Sequence, residues 1–413
     1  MALEGLNQPP PEESVDWPAH TSDRRAWRQS RRAGTREDRV LTEIEVSLPP
    51  KIALLDYDPH PTLSMESEQA AFEIAYTEGA AGAQLGALGR FLIQTESVSS
   101  SKIEQVDAAT EDFARALAGS RANESATSMV AATAALTDLV AAAGRTGTIE
   151  LNEILSAHYT LMRDDPRDGR YAGRVREMQN WILGSDYSPR GAVHIPPPPE
   201  LVLEYLNDLI VYANRNDIPP LVQAAVVHAQ FESIHPFTDG NGRIGRALIN
   251  AVLRRRGVTR ATVVPIATAM VADREGYFRL VNDYRNGVLG PFVRSLVMST
   301  TVATEESRRT AERFRDLPTE WREVVKPRAG SALEILIDNL LEQPVLSIDD
   351  ATKITGTSAQ SVYTAMDRLT EDGIVKEITG RARDRVWAAS EVMAELDDLA
   401  SRIAGAVRGS SQR

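Results

Sequence analysis

His235-Pro236-Phe237-Thr238-Asp239-Gly240-Asn241-Gly242-Arg243-Ile244-Gly245-Arg246 is the stretch on which the reading of this chain turns. The apolar run before it, Leu221 to Ile234, reads as a helix, and Pro236 disfavours helical geometry at His235. Gly240 and Gly242 allow a backbone whose successive N–H groups point inward. A new helix begins at Arg243, so the loop sits on a helix N-terminus, where the dipole favours an anion. Arg243 and Arg246 are three apart and share a face of that helix. A phosphate chain suits such a site. Asp239 can hold a divalent cation on those phosphates, and His235 at the mouth is a candidate base.

Two other readings fit less well. Gly240 to Gly245 matches the dinucleotide fingerprint G-x-G-x-x-G, but that motif follows a strand and needs an acid about twenty residues later. Here a helix precedes it, and Val258 to Pro265 contains no acid. His228, His235 and Asp239 could line one helical face as metal ligands, but Pro236 breaks the helix between them. His228 reads better as a hydrogen-bonded core histidine.

The chain has 413 residues, and 46 basic against 58 acidic side chains leave a net charge of −12. It contains no cysteine, which excludes a disulfide framework, thiolate metal sites and a cysteine nucleophile. The acidic total argues against binding nucleic acid through bulk charge. Nothing near the N-terminus resembles an export signal. The most apolar helical stretch, Met129 to Ala143, contains Asp138 and reads as too short and polar to span a bilayer. A soluble, cytoplasmic protein with no membrane partner is expected.

Working outward, residues 1–44 read as a flexible arm, opened by Pro9, Pro10 and Pro11. An arginine run follows, at Arg24, Arg25, Arg28, Arg31, Arg32, Arg36 and Arg39. Residues 45–143 carry helical periodicity, with an interruption near the serines at 99–101. In 144–305, helices alternate with one exception. Val175 to Ile195, set around Gly184, Pro189 and Gly191, reads as a β-hairpin. The last unit, 320–413, shows a helix from Ser331, a helix-turn-helix capped by Ser347 and Thr357, and two short strands around Gly380. That is a winged-helix pattern followed by a tail.

The twelve-residue stretch resembles the signature of the Fic family, His-x-Phe-x-Asp/Glu-Gly/Ala-Asn-Gly/Lys-Arg-x-x-Arg, at every specified position. The resemblance covers roughly residues 45–305. It implies a fold that is mainly α: a Fic-type helical core with a β-hairpin flap, plus the C-terminal winged helix-turn-helix domain. It also implies a nucleotidyltransferase that moves AMP from ATP, with Mg²⁺, to a Ser, Thr or Tyr hydroxyl of a target protein or of itself. In the implied roles, His235 takes the proton from the attacking hydroxyl and Asp239 binds Mg²⁺. The Gly240-Asn241-Gly242 backbone and the Asn241 side chain hold phosphate oxygens, and Arg243 neutralises the leaving pyrophosphate. Tyr277 and Phe278 resemble the aromatic pair beside the adenine. Trp181, Ile182 and Leu183 lie in the segment that resembles the target-binding flap.

Family members of this kind carry an inhibitory helix with the pattern Ser/Thr-x-x-x-Glu-Gly/Asn. Ser100-Ser101-Lys102-Ile103-Glu104 fits it, and Gln105 departs from it. The implied role of Glu104 is to pair with Arg246 and draw it from the γ-phosphate. The same site could instead run in reverse, with Glu104 orienting a water that removes AMP. A third reading makes the protein a DNA-binding regulator. The recognition helix exposes Ser358, Gln360, Tyr363, Thr364 and Arg368, and the wing carries Arg381, Arg383 and Arg385. However, Lys326 to Ser390 holds eight basic and ten acidic residues, which favours protein docking or a homodimer over DNA.

Overall fold

The computed structural model describes residues 16–29, 33–380 and 385–410, and over these the fold is mainly helical. Two strands come first, β1 (Thr21–Ala26) and β2 (Glu43–Leu48), with α1 (Arg36–Val40) between them. Next are α2 (Pro61–Ala81), α3 (Leu85–Ile103), α4 (Thr110–Leu117), α5 (Glu124–Thr146) and α6 (Leu151–Met162). After a long connection come α7 (Pro199–Ala213), α8 (Pro220–Ile234), α9 (Asn241–Arg255), α10 (Ile266–Ala272), α11 (Arg274–Arg285) and α12 (Gly290–Val325). The C-terminal part holds α13 (Ala332–Asn339), β3 (Val345–Ser347), α14 (Ile348–Thr355), α15 (Ala359–Glu371), β4 (Val375–Glu377), β5 (Val386–Ala389) and α16 (Ser390–Ser410).

A helix that is apolar on all sides can only sit inside the protein. Every residue of α8 from Leu221 to Ile234 is buried, and so is α9 from Asn241 to Leu253. These two helices pack on each other, α5 covers α9, and α3 and α6 pack on α5. The loop at 235–240 therefore hangs between two fixed rods. α5 is longer than its sequence suggests, at 23 residues, because Asn123 caps its start and Gly147 closes it at φ 71. By length and composition α5 could cross a membrane, and half of its most apolar window is buried inside the protein. Met129, Leu136, Leu139 and Val140 put that apolar face in the core.

The structure differs from the sequence reading in several places. Residues 16–29 and 33–44 are not a flexible arm. β1 pairs antiparallel with β2, Trp17 is buried, and Asp16 accepts from the N–H groups of Leu289 and Gly290 at the start of α12. Arg24, exposed, and Arg25, half-buried, are neighbours on opposite faces of β1, which hides its period in a run of charge. Pro9 to Pro11, Arg31 and Arg32 lie outside the described residues, as do Arg381 and Arg383 of the expected wing. The serines at 99–101 do not break α3. The Ser97 and Ser101 hydroxyls donate to the carbonyls four residues back, so the helix runs on to Ile103.

The hairpin expected at 175–195 reduces to one isolated bridge, Ile182 with His194. Its tip is tied elsewhere: Ser188 Oγ donates to the buried Asp38 carboxylate at 2.6 Å, and Gln29 donates to the Tyr187 carbonyl. The expected gap between domains, 305–320, falls inside α12. The C-terminal strands form a three-stranded sheet in the order β3-β5-β4, and the first of these strands is not apparent from the sequence. α16, expected as a tail, packs on α10 and α12.

Candidate active site

His235 is where α8 stops. Its backbone is left-handed, φ 48 and ψ 62, while its N–H still donates to Phe231 at 2.9 Å. For a residue with a Cβ this conformation costs about 1–2 kcal/mol, so the surroundings must hold it. Arg176, 3% exposed, donates from Nε to the His235 carbonyl and from its backbone N–H to the Pro236 carbonyl, each at 2.9 Å. Asn180 Nδ2 donates to the Phe237 carbonyl at 2.9 Å. The His235 Nδ1 has no hydrogen-bond partner. Burial, then the charges of Arg176 and Arg285, lower its pKa to about 3. The ring is thus neutral near pH 7 and able to accept a proton.

The rest of the loop is locked from within. Asn241 Oδ1 accepts from the Phe237 N–H at 2.8 Å, and Nδ2 donates to the Phe237 carbonyl at 2.9 Å. The Asn241 side chain, expected on phosphate oxygens, bonds the loop backbone here through both its oxygen and one N–H of its amide. Phe237 is fully buried and stacks on His158, with centroids 3.7 Å apart. His158 Nε2 in turn bonds the Asp239 carbonyl at 3.1 Å. The Asp239 carboxylate accepts from Gly240 N–H at 2.6 Å and keeps its side chain 55% exposed at the mouth. Gly240 takes φ 76, and α9 begins there with no side chain capping its first turn.

Arg243 and Arg246 both project from the first turns of α9, as their spacing predicts. Arg243 reaches Ser128 Oγ at 2.9 Å and lies 3.8 Å from Asp239. Arg246, 1% exposed, is gripped by α3: Nε and Nη2 donate to Ser100 Oγ and the Ser100 carbonyl, both at 2.9 Å. Its Nη2 also meets Glu104 Oε1 at 2.7 Å. Burial alone would raise the Glu104 pKa and lower that of Arg246. Each outweighs it for the other: the Glu104 pKa ends lowered and that of Arg246 raised. A Cβ on Gly242 would lie 1.9 Å from Glu104 Oε1, so the carboxylate rests against the open first turn of α9. Glu104 thus occupies the space in which an anion would meet that helix end.

The remaining expected residues are placed unevenly. Tyr277 is 5% exposed and its hydroxyl pairs with His228 Nε2 at 2.9 Å, so it belongs to the core. Of the aromatic pair Phe278 is the exposed one, at 37%, with the Arg274 guanidinium 5.0 Å over its ring. On the segment opposite, the Trp181 indole donates to the Ser185 carbonyl and packs edge-on against Trp27. Ile182 makes the one bridge, and Leu183, 71% exposed, projects with φ 60. A cavity of about 480 Å³ opens beside Asp239 between α5 and α6, lined by Ser125, Ser128, Arg163 and Asp168 among others. No cluster of three or more potential metal ligands occurs among the described residues. His158, Arg176 and Asn180 are absent from the sequence reading. They act across 55 to 81 residues of chain, and nothing local marks them.

An αL turn joining a buried helix to an anion-binding helix end, with a neutral histidine on it, defines a Fic-type site. Residues 148–253 match the Fic/DOC family. It is similar to the protein adenylyltransferase Fic of Nematostella vectensis, 31% identical over 157 residues, which are 37% of this chain and 33% of that protein. The protein adenylyltransferase fic-1 of Caenorhabditis elegans is 32% identical over 150 residues, 35% of this chain and 26% of that protein. The chain therefore spans a third or less of these curated relatives. Its fold is similar to that of a Fic family protein from Desulfovibrio desulfuricans, at TM-score 0.51 and 20% identity, covering 81% of this chain and 97% of that one.

Proposed function

We propose that the protein is an adenylyltransferase that transfers AMP from ATP to a Ser, Thr or Tyr hydroxyl of a target protein or of itself, and that Glu104 holds it in check. One observation carries this reading: the Glu104–Arg246 pair at 2.7 Å, set on the helix end that an ATP phosphate would need. The curated relatives named above, both adenylyltransferases, support the activity.

In this reading His235 takes the proton of the attacking hydroxyl at Nε2, since Nδ1 is buried. The oxygen bonds to the α-phosphorus, the bond to the β-phosphate bridging oxygen breaks, and pyrophosphate leaves. Arg243, and Arg246 once released, neutralise the charge on it, and the N–H groups at the start of α9 hold the α-phosphate. Asp239 fits a magnesium ion in the way such ions are usually held, by one exposed carboxylate together with substrate phosphates. A bound Mg²⁺ supplies charge neutralisation to the phosphates. The segment around Ile182 and Leu183 is the edge on which a target segment would lie, and Phe278 is the exposed surface for the base.

The reverse reading, removal of AMP with Glu104 orienting a water, draws on the 35% of the Glu104 side chain that stays exposed. For the C-terminal unit we infer a winged helix used for protein docking, a homodimer included, rather than for DNA. Arg368 is paired with Asp372 at 2.8 Å, and Arg385 lies 3.5 Å from Asp367, so two of its cations are already matched.

The deciding experiment incubates the parent and Glu104→Gly with labelled ATP and Mg²⁺, alone and in a lysate. Glu104→Gly should label itself or another protein strongly, and His235→Ala should remove the labelling. No labelling by either parent or Glu104→Gly would end the transferase reading. A labelled substrate that loses its AMP faster with the parent than with Glu104→Gly would favour the reverse one.

A further inference from the structure

The end of α3 that carries Glu104 is built under strain. The Val106 N–H returns to the Ser101 carbonyl and the Gln105 N–H to the Lys102 carbonyl, both at 3.0 Å, which is a Schellman turn. Such a turn needs a left-handed residue just past the cap, and here that residue is Gln105 at φ 62. Glycine or asparagine would sit there more easily. A strained turn keeps its shape only if its surroundings hold it.

The last carbonyls of α3 show what holds it. Ser101 and Lys102 are satisfied by the turn itself. The Ser100 carbonyl is taken by Arg246. The Ile103 carbonyl, adjacent to Glu104, accepts from Nε of Arg274 at 2.7 Å. Arg274 is the first residue of α11, and its guanidinium stands 5.0 Å over the Phe278 ring one turn later. Its direction is therefore fixed by stacking before it reaches α3. A cation at a helix C-terminus is also favoured by the dipole.

We propose that Arg274 is a positioning residue for the inhibitory contact: it clasps the C-terminus of α3 and holds Glu104 on Arg246 against the strain at Gln105. This rests on the reading of Glu104 as a brake. Arg274 touches neither the phosphates nor the attacking group in that reading; it meets the base surface only through the Phe278 ring, and the Glu104→Gly background separates that route from Glu104.

The experiment compares the parent, Arg274→Ala, Arg274→Lys, Glu104→Gly and the double variant Glu104→Gly/Arg274→Ala. Two quantities are read: deuterium uptake by the amides of 100–106, and incorporation of label from ATP. Arg274→Ala should speed uptake there and raise labelling about tenfold, the factor one charge-assisted hydrogen bond carries. Arg274→Lys, which keeps a donor and loses the planar fork, should fall between them. In the Glu104→Gly background the substitution should leave labelling unchanged.

Parent-like uptake in Arg274→Ala overturns the proposal. So does faster uptake without more labelling when Glu104→Gly itself labels strongly. An equal fall in both backgrounds would make Arg274 a nucleotide contact instead, and also overturns it. If Glu104→Gly labels no more than the parent, the proposed function has failed, and the uptake still decides whether Arg274 holds the turn. Should Arg274→Ala melt early, the uptake of Arg274→Lys decides in its place.

Discussion

Glu104 and Arg246 stand 142 residues apart in the chain and 2.7 Å apart in space, with the Arg246 side chain 1% exposed. Arg246 has three acceptors, all on α3, and Glu104 supplies the one that is charged. The pair therefore does two things at once. It gives a buried guanidinium its counter-charge, and in the proposed function it places a carboxylate where a phosphate would bind.

Removing the carboxylate should release the site. Glu104→Gly is expected to raise AMP incorporation by about 5–150-fold, the range that a coupling of 1–3 kcal/mol spans. Arg246→Ala should fall below the parent, because the same guanidinium is needed on the phosphates. Isothermal titration of ATP into Glu104→Gly and the parent should show tighter binding in the former. Equal binding would separate Glu104 from the nucleotide.

The locked loop gives a second expectation. Asn241 makes two buried hydrogen bonds to Phe237, and its loss leaves the Phe237 N–H without a partner, while the carbonyl keeps Asn180 Nδ2. Asn241→Ala should cost about 1–3 kcal/mol, the penalty for one orphaned buried donor. Denaturant unfolding measures this directly. Asn241→Asp keeps the acceptor for the Phe237 N–H and loses the donor to its carbonyl, so it should lie between. A loss of activity without loss of stability would return Asn241 to phosphate binding.

What could be read in the sequence was what depends on near neighbours. The run from His235 to Arg246 is one turn between two helices, so its spacing carries its geometry. Glu104 was legible as a pattern. The meaning of Gln105 was not, because a left-handed residue leaves no mark unless it is glycine or asparagine. Tyr277 and Asn241 were given to the ligand, whereas folding commits one to His228 and the other to Phe237. Arg176 and His158 bond carbonyls far along the chain, and no local period encodes that. The strand at 21–26 was hidden by its arginines, whose long side chains suit a strand's solvent face as well as a loose arm.

The buried titratable groups set an acid limit. His158, His194 and His228 are buried, and burial lowers each pKa, to about 4 for His158 and about 3 for His228. Their folded form binds fewer protons than the unfolded chain below pH 6.5, so they remove stability as pH falls. Glu96 and Glu232 act oppositely. Burial raises them to about 8 and about 7 from 4.5, so the folded form binds more protons between those values and gains stability as pH falls. The two sets oppose one another between pH 6.5 and 4.5. Below that those two carboxyls are protonated in both states; the histidines then act by up to about 1.4 kcal/mol per pH unit each, joined by carboxylates the fold holds low, Glu104 and Glu78 among them. Three histidines against two carboxyls leave a net loss, so the urea midpoint should fall gently from pH 6.5 to 5 and steeply below 4.5. In Glu96→Gln one opposing group is gone, so the fall should begin nearer pH 6.

Gln105 offers the sharpest separation of stability from activity. At φ 62 its side chain is held in a conformation that costs about 1–2 kcal/mol for residues with a Cβ. Gln105→Gly removes that cost in the folded turn, although glycine also frees the unfolded chain and returns part of the gain. The residual gain falls on the turn that presents Glu104. It should therefore tighten the contact with Arg246 and lower parent labelling about two- to fivefold, the factor for 0.4–1 kcal/mol. Glu104→Gly/Gln105→Gly should label like Glu104→Gly alone, since there is no carboxylate left to place. The substitution is thus expected to make the protein slightly more stable and less active together. Higher labelling in Gln105→Gly than in the parent would show that the left-handed turn is not what positions Glu104.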